Sequence, residues 1–296
     1  MTTTPAPAAE FEAHRPRMFA LAYRLLGSAE EADDAVQDAY LRWSGARREE
    51  IAHPGAWLAK VVTNLCVNRL TSARARREEY VGPWLPEPVA TGGGALGPLD
   101  SAEQRDSVST ALLVLLERLT PAERAVYVLR EAFAYSHREI AGVLGIGEAN
   151  ARQLYGRAVR RVAARTARFV PRPEQQRSLV ESFVAAAREG DVAGLEKLLA
   201  DDVTWWGDGG GRVTAALRPI VGRAKVLRFL VGAAERFLVG VELEAVEVNG
   251  WTALVAYLGG ELIAVASFDV RDGAIADVRV VVNPDKLGYV RGQLGA

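Results

Sequence analysis

The chain has 296 residues, a formal net charge of −1 and an apolar fraction of 49%, enough for two or three domains with sizeable cores and too balanced in charge for indiscriminate coating of nucleic acid. Its single cysteine, Cys66, excludes an intrachain disulfide and a cysteine-based zinc site. The Thr/Pro/Ala-rich start lacks the basic and apolar segments of a secretory signal, and no apolar run reaches the length of a membrane span, so a cytoplasmic protein without membrane contact is expected.

Helices are predicted throughout the first block, residues 10–80. A helix over 11–26 places Met18, Ala22, Leu25 and Leu26 on one face and stops at Gly27. Ser28 with Glu31 forms a capping box that opens the next helix, on which Val36, Ala39, Tyr40 and Trp43 recur at i, i+3, i+4 and i+7. Glu30, Glu31, Asp33, Asp34 and Asp38 crowd its first turns, where acids complement the helix dipole. Pro54 starts a third helix with Trp57, Val61 and Leu65 in a stripe. Between residues 60 and 77 there are Lys60, Arg69, Arg74, Arg76 and Arg77 and no acid, with Asn64 and Asn68 interleaved. That pattern fits either a solvated basic face or a nucleic-acid surface.

Residues 81–99 read as a linker, rich in Gly and Pro, although Trp84 and Leu85 are unusual in one and suggest a docking contact. The block 100–170 is again predicted helical. Thr120 with Glu123 makes a capping box with Pro121 at the first helical position. Ser136 with Glu139 makes another, Ile140, Val143 and Leu144 follow as an apolar stripe, and Gly145 supplies the turn of a helix-turn-helix. From Gly147 to Arg168 come Arg152, Arg157, Arg160, Arg161, Arg165 and Arg168 against the one acid Glu148, a helix suited to lie against phosphates. Ala151, Leu154 or Tyr155, and Ala158 are expected to face inward.

Beyond Pro171 and Pro173 the pattern changes. Helices over 174–189 and 191–200 lead to a strand over 203–207, an extended piece to 217 and a helix over 223–237. Strands over 241–248, 251–258, 262–270 and 274–282 are joined by Asn249-Gly250, Gly259-Gly260 and Asp272-Gly273, the residue pairs of tight hairpins. Helices first and a curved antiparallel sheet afterwards give an α+β cone. Trp205, Trp206, Trp251 and Phe268 are candidates to line it and hold a small-molecule ligand. No histidine lies in this block (His14, His53 and His137 are elsewhere), so no imidazole base and no metal site is expected. Asp208, Asp269 and Asp285 remain as acids, but Asp beside Gly is commonly turn chemistry. No catalytic residue and no cofactor is assigned.

The helical blocks together resemble an extracytoplasmic function (ECF, group IV) sigma factor of bacterial RNA polymerase. The stretch from Leu25 to Trp43, then Trp57-Leu58 and Thr63 to Leu70, are similar to sigma region 2. Leu119 to Arg124, Glu139-Ile140-Ala141, Leu144-Gly145 and Arg152-Gln153-Leu154 are similar to the region 4 helix-turn-helix. Gly147 stands where the family has a Ser or Thr cap, a modest weakening. Residues 174–296 resemble a SnoaL-like (nuclear transport factor 2-like) domain, which marks the subgroup of such factors with a fused C-terminal domain. Trp84-Leu85-Pro86-Glu87-Pro88, Asp208-Gly209-Gly210-Gly211-Arg212 and Asn283-Pro284-Asp285-Lys286-Leu287 are its motifs, with Arg212 where Lys is more usual.

The resemblance implies two all-α sigma domains (region 2 over 10–80, region 4 over 100–170), the linker 81–99 and a regulatory cone over 174–296. It also implies binding to RNA polymerase core through the β′ clamp and β flap, and recognition of the −35 and −10 promoter elements. Asp34, Gln37, Asp38 and Trp43 are the expected polymerase contacts. Asn64, Asn68, Arg69 and Arg74 are expected at the −10 element, where the stretch 47–53 would capture an unpaired base. Glu148, Arg152, Gln153, Arg157, Arg160 and Arg161 are expected at the −35 element. Trp84, Leu85 and Pro86, with the two C-terminal motifs, form the expected regulatory contact. The alternatives are a ligand-responsive helix-turn-helix regulator that works without polymerase, and a cyclase-like enzyme.

Overall fold

The computed structural model describes residues 7–97, 99, 101–163, 172–237 and 239–295, excepting the side chains of residues 7, 73–78, 102, 235 and 237. The chain divides into two compact units. One comprises Met1–Glu78, Gly94–Leu99 and Leu112–Thr166; the other comprises Glu79–Gly93, Asp100–Ala111 and Ala167–Ala296. This division cuts across the sequence blocks. Most of the expected linker, and the first residues of the expected region 4 block, belong to the C-terminal unit.

In the first unit, α1 (Pro7–Leu26), α2 (Ala29–Ser44) and α3 (Pro54–Glu78) pack as a bundle. Gly27 ends α1 at a φ of 69°, and the Ser28 hydroxyl accepts the Glu31 N–H at 3.1 Å to start α2. Met18, Leu21, Leu25, Leu26, Val36, Trp43 and Leu58 are all at most 1% exposed and form its core.

Three more helices, α4 (Pro121–Glu131), α5 (His137–Leu144) and α6 (Glu148–Ala163), follow the predicted helix-turn-helix, with reciprocal capping boxes at Thr120 and Ser136 and Gly145 left-handed at the turn. Helix α3 packs against α4 and α5 as well as against α1. Arg124 is buried at this junction, paired with Glu117 and donating to the Arg24 carbonyl at 3.4 Å, so the cation is not left unpaired.

The second unit is a six-stranded sheet packed with helices. Its strands are β1 (Leu199–Asp208), β2 (Ile220–Val221), β3 (Val241–Val248), β4 (Trp251–Leu258), β5 (Glu261–Arg271) and β6 (Ala274–Val281), in the order β2-β1-β6-β5-β4-β3. Asn249, Gly250, Gly259, Gly260, Asp272 and Gly273 all have positive φ, as tight hairpin turns require. The sheet is not wholly antiparallel as expected, because β1 runs parallel to β6. Register shifts in the β1–β6, β4–β5 and β5–β6 pairs are irregularities of the kind that bend a sheet into a cone.

Helices α7 (Pro173–Glu189), α8 (Val192–Leu198) and α9 (Arg223–Phe237) cover the sheet, burying Val180, Phe183, Leu195, Val226 and Phe268 in one core. A final helix absent from the sequence reading, α10 (Pro284–Leu294), is capped by Asn283, whose side chain accepts the Asp285 N–H at 3.1 Å. No helix among the described residues is long and apolar enough to cross a membrane.

Candidate functional site

The acidic helix α2 has two opposite faces. Ala32, Ala35, Val36, Ala39 and Trp43 are buried, while Asp34 and Gln37 are exposed and Asp38 is half-buried. Trp43 is therefore not a surface contact as expected. Its place on the apolar stripe puts it wholly inside, 5.7 Å from the Trp57 ring. The exposed face instead carries Leu41, 63% exposed, at i+7 from Asp34. Its signal in the sequence was an apolar residue on an otherwise polar stripe.

Arg69 also departs from expectation. Its guanidinium donates to Asp38 at 2.7 Å and to the Glu31 carbonyl at 3.2 Å, with Asp34 at 3.5 Å, so it belongs to the acidic face rather than to a free phosphate-binding row. Lys60 and Asn68 are exposed on α3, and Asn64 is half-buried between them at helical spacing. The side chains of Arg74, Arg76 and Arg77 lie outside the described residues. A surface hollow of about 510 Å³ sits at the start of this helix, lined by Arg47, Glu50, His53 and Trp57. It coincides with the stretch expected to capture a base.

Helix α6 buries Ala151, Leu154, Ala158 and Val162 and exposes Arg152, Gln153, Arg157, Arg160 and Arg161. Arg165 and Arg168 lie outside the described residues. Tyr155 turns to the neighbouring helix, its hydroxyl donating to Glu131 at 2.6 Å. Arg152 pairs with Glu148 one turn earlier. Arg157 and Arg161 reach back to the buried Glu123 carboxylate at 3.0 and 2.5 Å while remaining about half exposed, so each supports the fold with one edge of its guanidinium.

Burial raises the Glu123 carboxyl pKa. The Thr120 backbone N–H, Arg157, the Thr120 side chain and Arg161 outweigh that and hold it below the usual carboxylate range. A carboxylate depressed in the folded state contributes stability above its unfolded pKa, about 4.3. That contribution is lost as pH falls through the lower folded value. Helical circular dichroism on acid titration is expected to fall more steeply for the wild type than for Glu123→Gln, which starts less stable at neutral pH. Identical acid limbs would refute the linkage.

In the C-terminal unit, the motif residues converge on Asp208, which is wholly buried at the end of β1. Its Oδ1 accepts the Tyr80 hydroxyl at 2.5 Å; its Oδ2 accepts the Leu85 N–H at 2.8 Å and the Lys286 ammonium at 2.7 Å. Lys286 also donates to the Leu85 carbonyl at 2.6 Å and lies 4.6 Å and 4.3 Å from the ring centroids of Tyr80 and Trp84, within cation–π range. Asn283 donates to the Tyr80 hydroxyl at 2.9 Å. Burial, with the Asp208 hydrogen bond next, pushes the Tyr80 pKa up, so it stays a donor.

Gly210 is left-handed at a φ of 57°, and a Cβ there would meet the Asn283 side chain and sit 2.8 Å from the Tyr80 hydroxyl. Gly209 is closed to a side chain by Val213 and Ala215, and Gly211, also left-handed, packs against Val81. Arg212 pairs with Asp285 at 3.0 Å on the surface, and Leu287 is buried below. Residues 80–91 thus form a strap on this unit, with Leu85, Pro86 and Val89 buried. The strap continues through a reciprocal pair of hydrogen bonds between Val89 and Asn249. Tyr80 and Asn249 were not foreseen as site residues.

Trp205 and Phe268 line a hollow inside the cone, as expected, but Trp206 and Trp251 are not among its lining residues. Trp206 donates to Asp277 at 2.8 Å. Asp269 pairs with Arg279 at 2.6 Å. Among the described residues, no group of three metal-ligating side chains is found.

Residues 11–76 match Sigma-70 region 2, and residues 109–162 match Sigma-70, region 4. The chain is 40% identical over 287 residues to the ECF RNA polymerase sigma factor SigJ of Mycobacterium tuberculosis, covering 94% of this chain and 92% of that protein. It is 31% identical over 289 residues to a probable ECF RNA polymerase sigma factor, SigI, of the same species, covering 97% of each. The crystal structure of the Mycobacterium tuberculosis extracytoplasmic function sigma factor SigJ aligns with a TM-score of 0.76 at 35% identity, over 95% of this chain and 98% of that one.

Proposed function

Because this chain belongs to the ECF family of RNA polymerase sigma factors, we propose a division of labour among the surfaces described above. Sigma factors bind polymerase core and promoter DNA, and both helical regions are present. The exposed stripe Asp34, Gln37, Asp38 and Leu41 meets the β′ clamp, and region 4 meets the β flap. Asn64, Asn68 and Lys60 face the −10 element, and the hollow at Arg47–Trp57 receives an unstacked base. In this reading Arg69 holds the acidic stripe in shape.

The observation that carries the −35 assignment is the clean split of α6 into a buried apolar side and an exposed side with Arg152, Gln153, Arg157, Arg160 and Arg161. Residues early in a recognition helix read base edges, and later ones grip phosphate. With reconstituted polymerase, Gln153→Ala is expected to cost about 1–3 kcal/mol of discrimination at one base position. Arg160→Ala is expected to weaken all promoters alike and to reduce the salt slope by about one. Equal effects of the two on cognate and scrambled promoters would remove the assignment of base reading to Gln153.

The C-terminal unit regulates by holding residues 80–91, which lie between regions 2 and 4 in the chain. A docked strap leaves less free chain between the two regions, and docking shifts their arrangement only by its differential affinity for each state. Asp208, Asp269 and Asp285 each already hold a cation, which favours a binding and regulatory role over an acid–base catalyst. A regulator acting without polymerase would leave the region 2 match without a purpose.

A further inference from the structure

The hollow of the C-terminal cone encloses about 610 Å³, within the range of pockets that bury a whole small molecule. It lies between α7 and α9 on one side and β1, β3, β4, β5 and β6 on the other, and its wall is almost entirely hydrocarbon: Phe183, Trp205, Phe229, Leu254 and Phe268 with smaller aliphatic residues. Protein interiors normally close on themselves to crystal-like density. Here small residues (Ala187, Ala233, Ala256, Ala266) stand where larger ones would fill the space.

The polar content of the wall is informative. Among the described lining residues, Thr214, Arg236 and the indole N–H of Trp205 supply the polar side-chain groups, and none of these residues is a carboxylate or an imidazole. Arg236 lies in the last turn of α9 and is exposed, and among the described residues it has no ion-pair partner. An apolar chamber with a cation in its described wall selects an apolar molecule with one negative end, attracting a carboxylate and repelling an ammonium. Val213, Val239 and Leu258, also in the wall, are 43%, 80% and 48% exposed, which gives an apolar molecule an apolar way in.

We infer that the cone is a binding site for an acidic lipophile of the long-chain fatty-acid type, with its chain among Trp205, Phe229 and Phe268 and its carboxylate at Arg236. The inference concerns the cavity alone and does not depend on the promoter reading.

The test uses the full chain and cis-parinaric acid, a fatty acid whose fluorescence rises in an apolar site. One saturable site per chain is expected, with displacement by oleate at least tenfold better than by oleyl alcohol and none by oleylamine. Arg236→Gln is at an exposed position and is expected to weaken oleate at least fivefold while leaving oleyl alcohol unchanged. Ala233→Trp, which fills the chamber, is expected to abolish the fluorescence rise while polymerase binding is retained; should that variant fail to fold, Arg236→Gln still decides. Absence of a saturable signal, equal competition by the amine, or an oleate affinity unmoved in Arg236→Gln would each overturn the assignment.

Discussion

Replacing Lys286 by methionine is expected to destabilise the C-terminal unit by about 3–5 kcal/mol, the range for removing one partner of a buried ion pair. The Lys286 side chain is 8% exposed and that of Asp208 is fully buried, so solvent cannot take over the lost charge. Methionine fills much of the same space but leaves Asp208 with two neutral donors, Tyr80 and the Leu85 N–H, and no cation, and it strips the Leu85 carbonyl of its donor. The strap should therefore loosen first, read as faster amide exchange at Leu85 together with a lower denaturation midpoint.

Arg212→Ala is the control. It breaks an ion pair of the same unit, but one whose side chains are 65% and 59% exposed, and exposed pairs contribute about 0–1 kcal/mol. The double replacement Lys286→Met with Asp208→Asn should recover part of the loss, because the uncompensated charge is gone. If Lys286→Met and Arg212→Ala behaved alike in stability and in Leu85 exchange, the ion pair would not be what fastens the strap. If they differed there but gave the same promoter-dependent transcription, the strap would be structural and not regulatory.

Local chemistry made most of the fold legible. The helix starts at Ser28, Thr120 and Ser136 are side-chain-to-backbone bonds made within four residues, and the hairpins of β3 to β6 are set by their two-residue turns. What escaped was set by distant partners. The parallel pairing of β1 with β6 joins residues more than seventy apart, and no local pattern announces it. Helix α10 was hidden because Asn283-Pro284 was read as part of a motif rather than as a cap followed by a proline at the first helical position.

The same split holds for the sites. The exposed and buried sides of α6 follow from helical period alone, but that Arg157 and Arg161 share Glu123 depends on a contact between α6 and α4. Composition made residues 81–99 look like free chain. The apolar residues Trp84, Leu85 and Val89 between the prolines were the sign that much of it packs, and only the folded unit supplies Asp208, Lys286 and Asn249 to receive it.

Trp43→Ala and Leu41→Asp should separate stability from binding on a single helix. Trp43 is fully buried against Trp57, and truncating such a side chain costs about 3–5 kcal/mol. Any polymerase binding lost by that variant should track the unfolded fraction, and Trp43→Phe should restore much of it. Leu41 is largely in solvent, so its replacement should move stability by no more than about 0.5 kcal/mol. It stands beside Asp34, Gln37 and Asp38 on the face assigned to the clamp, and a charge there would have to be desolvated on docking. Affinity for core polymerase should fall by roughly tenfold, about 1.4 kcal/mol. Unchanged affinity in Leu41→Asp would move the contact off this face. A Trp43→Ala protein that stayed folded yet lost polymerase would mean that α2 presents its other side, which the burial of Ala32, Val36 and Ala39 along the same stripe opposes.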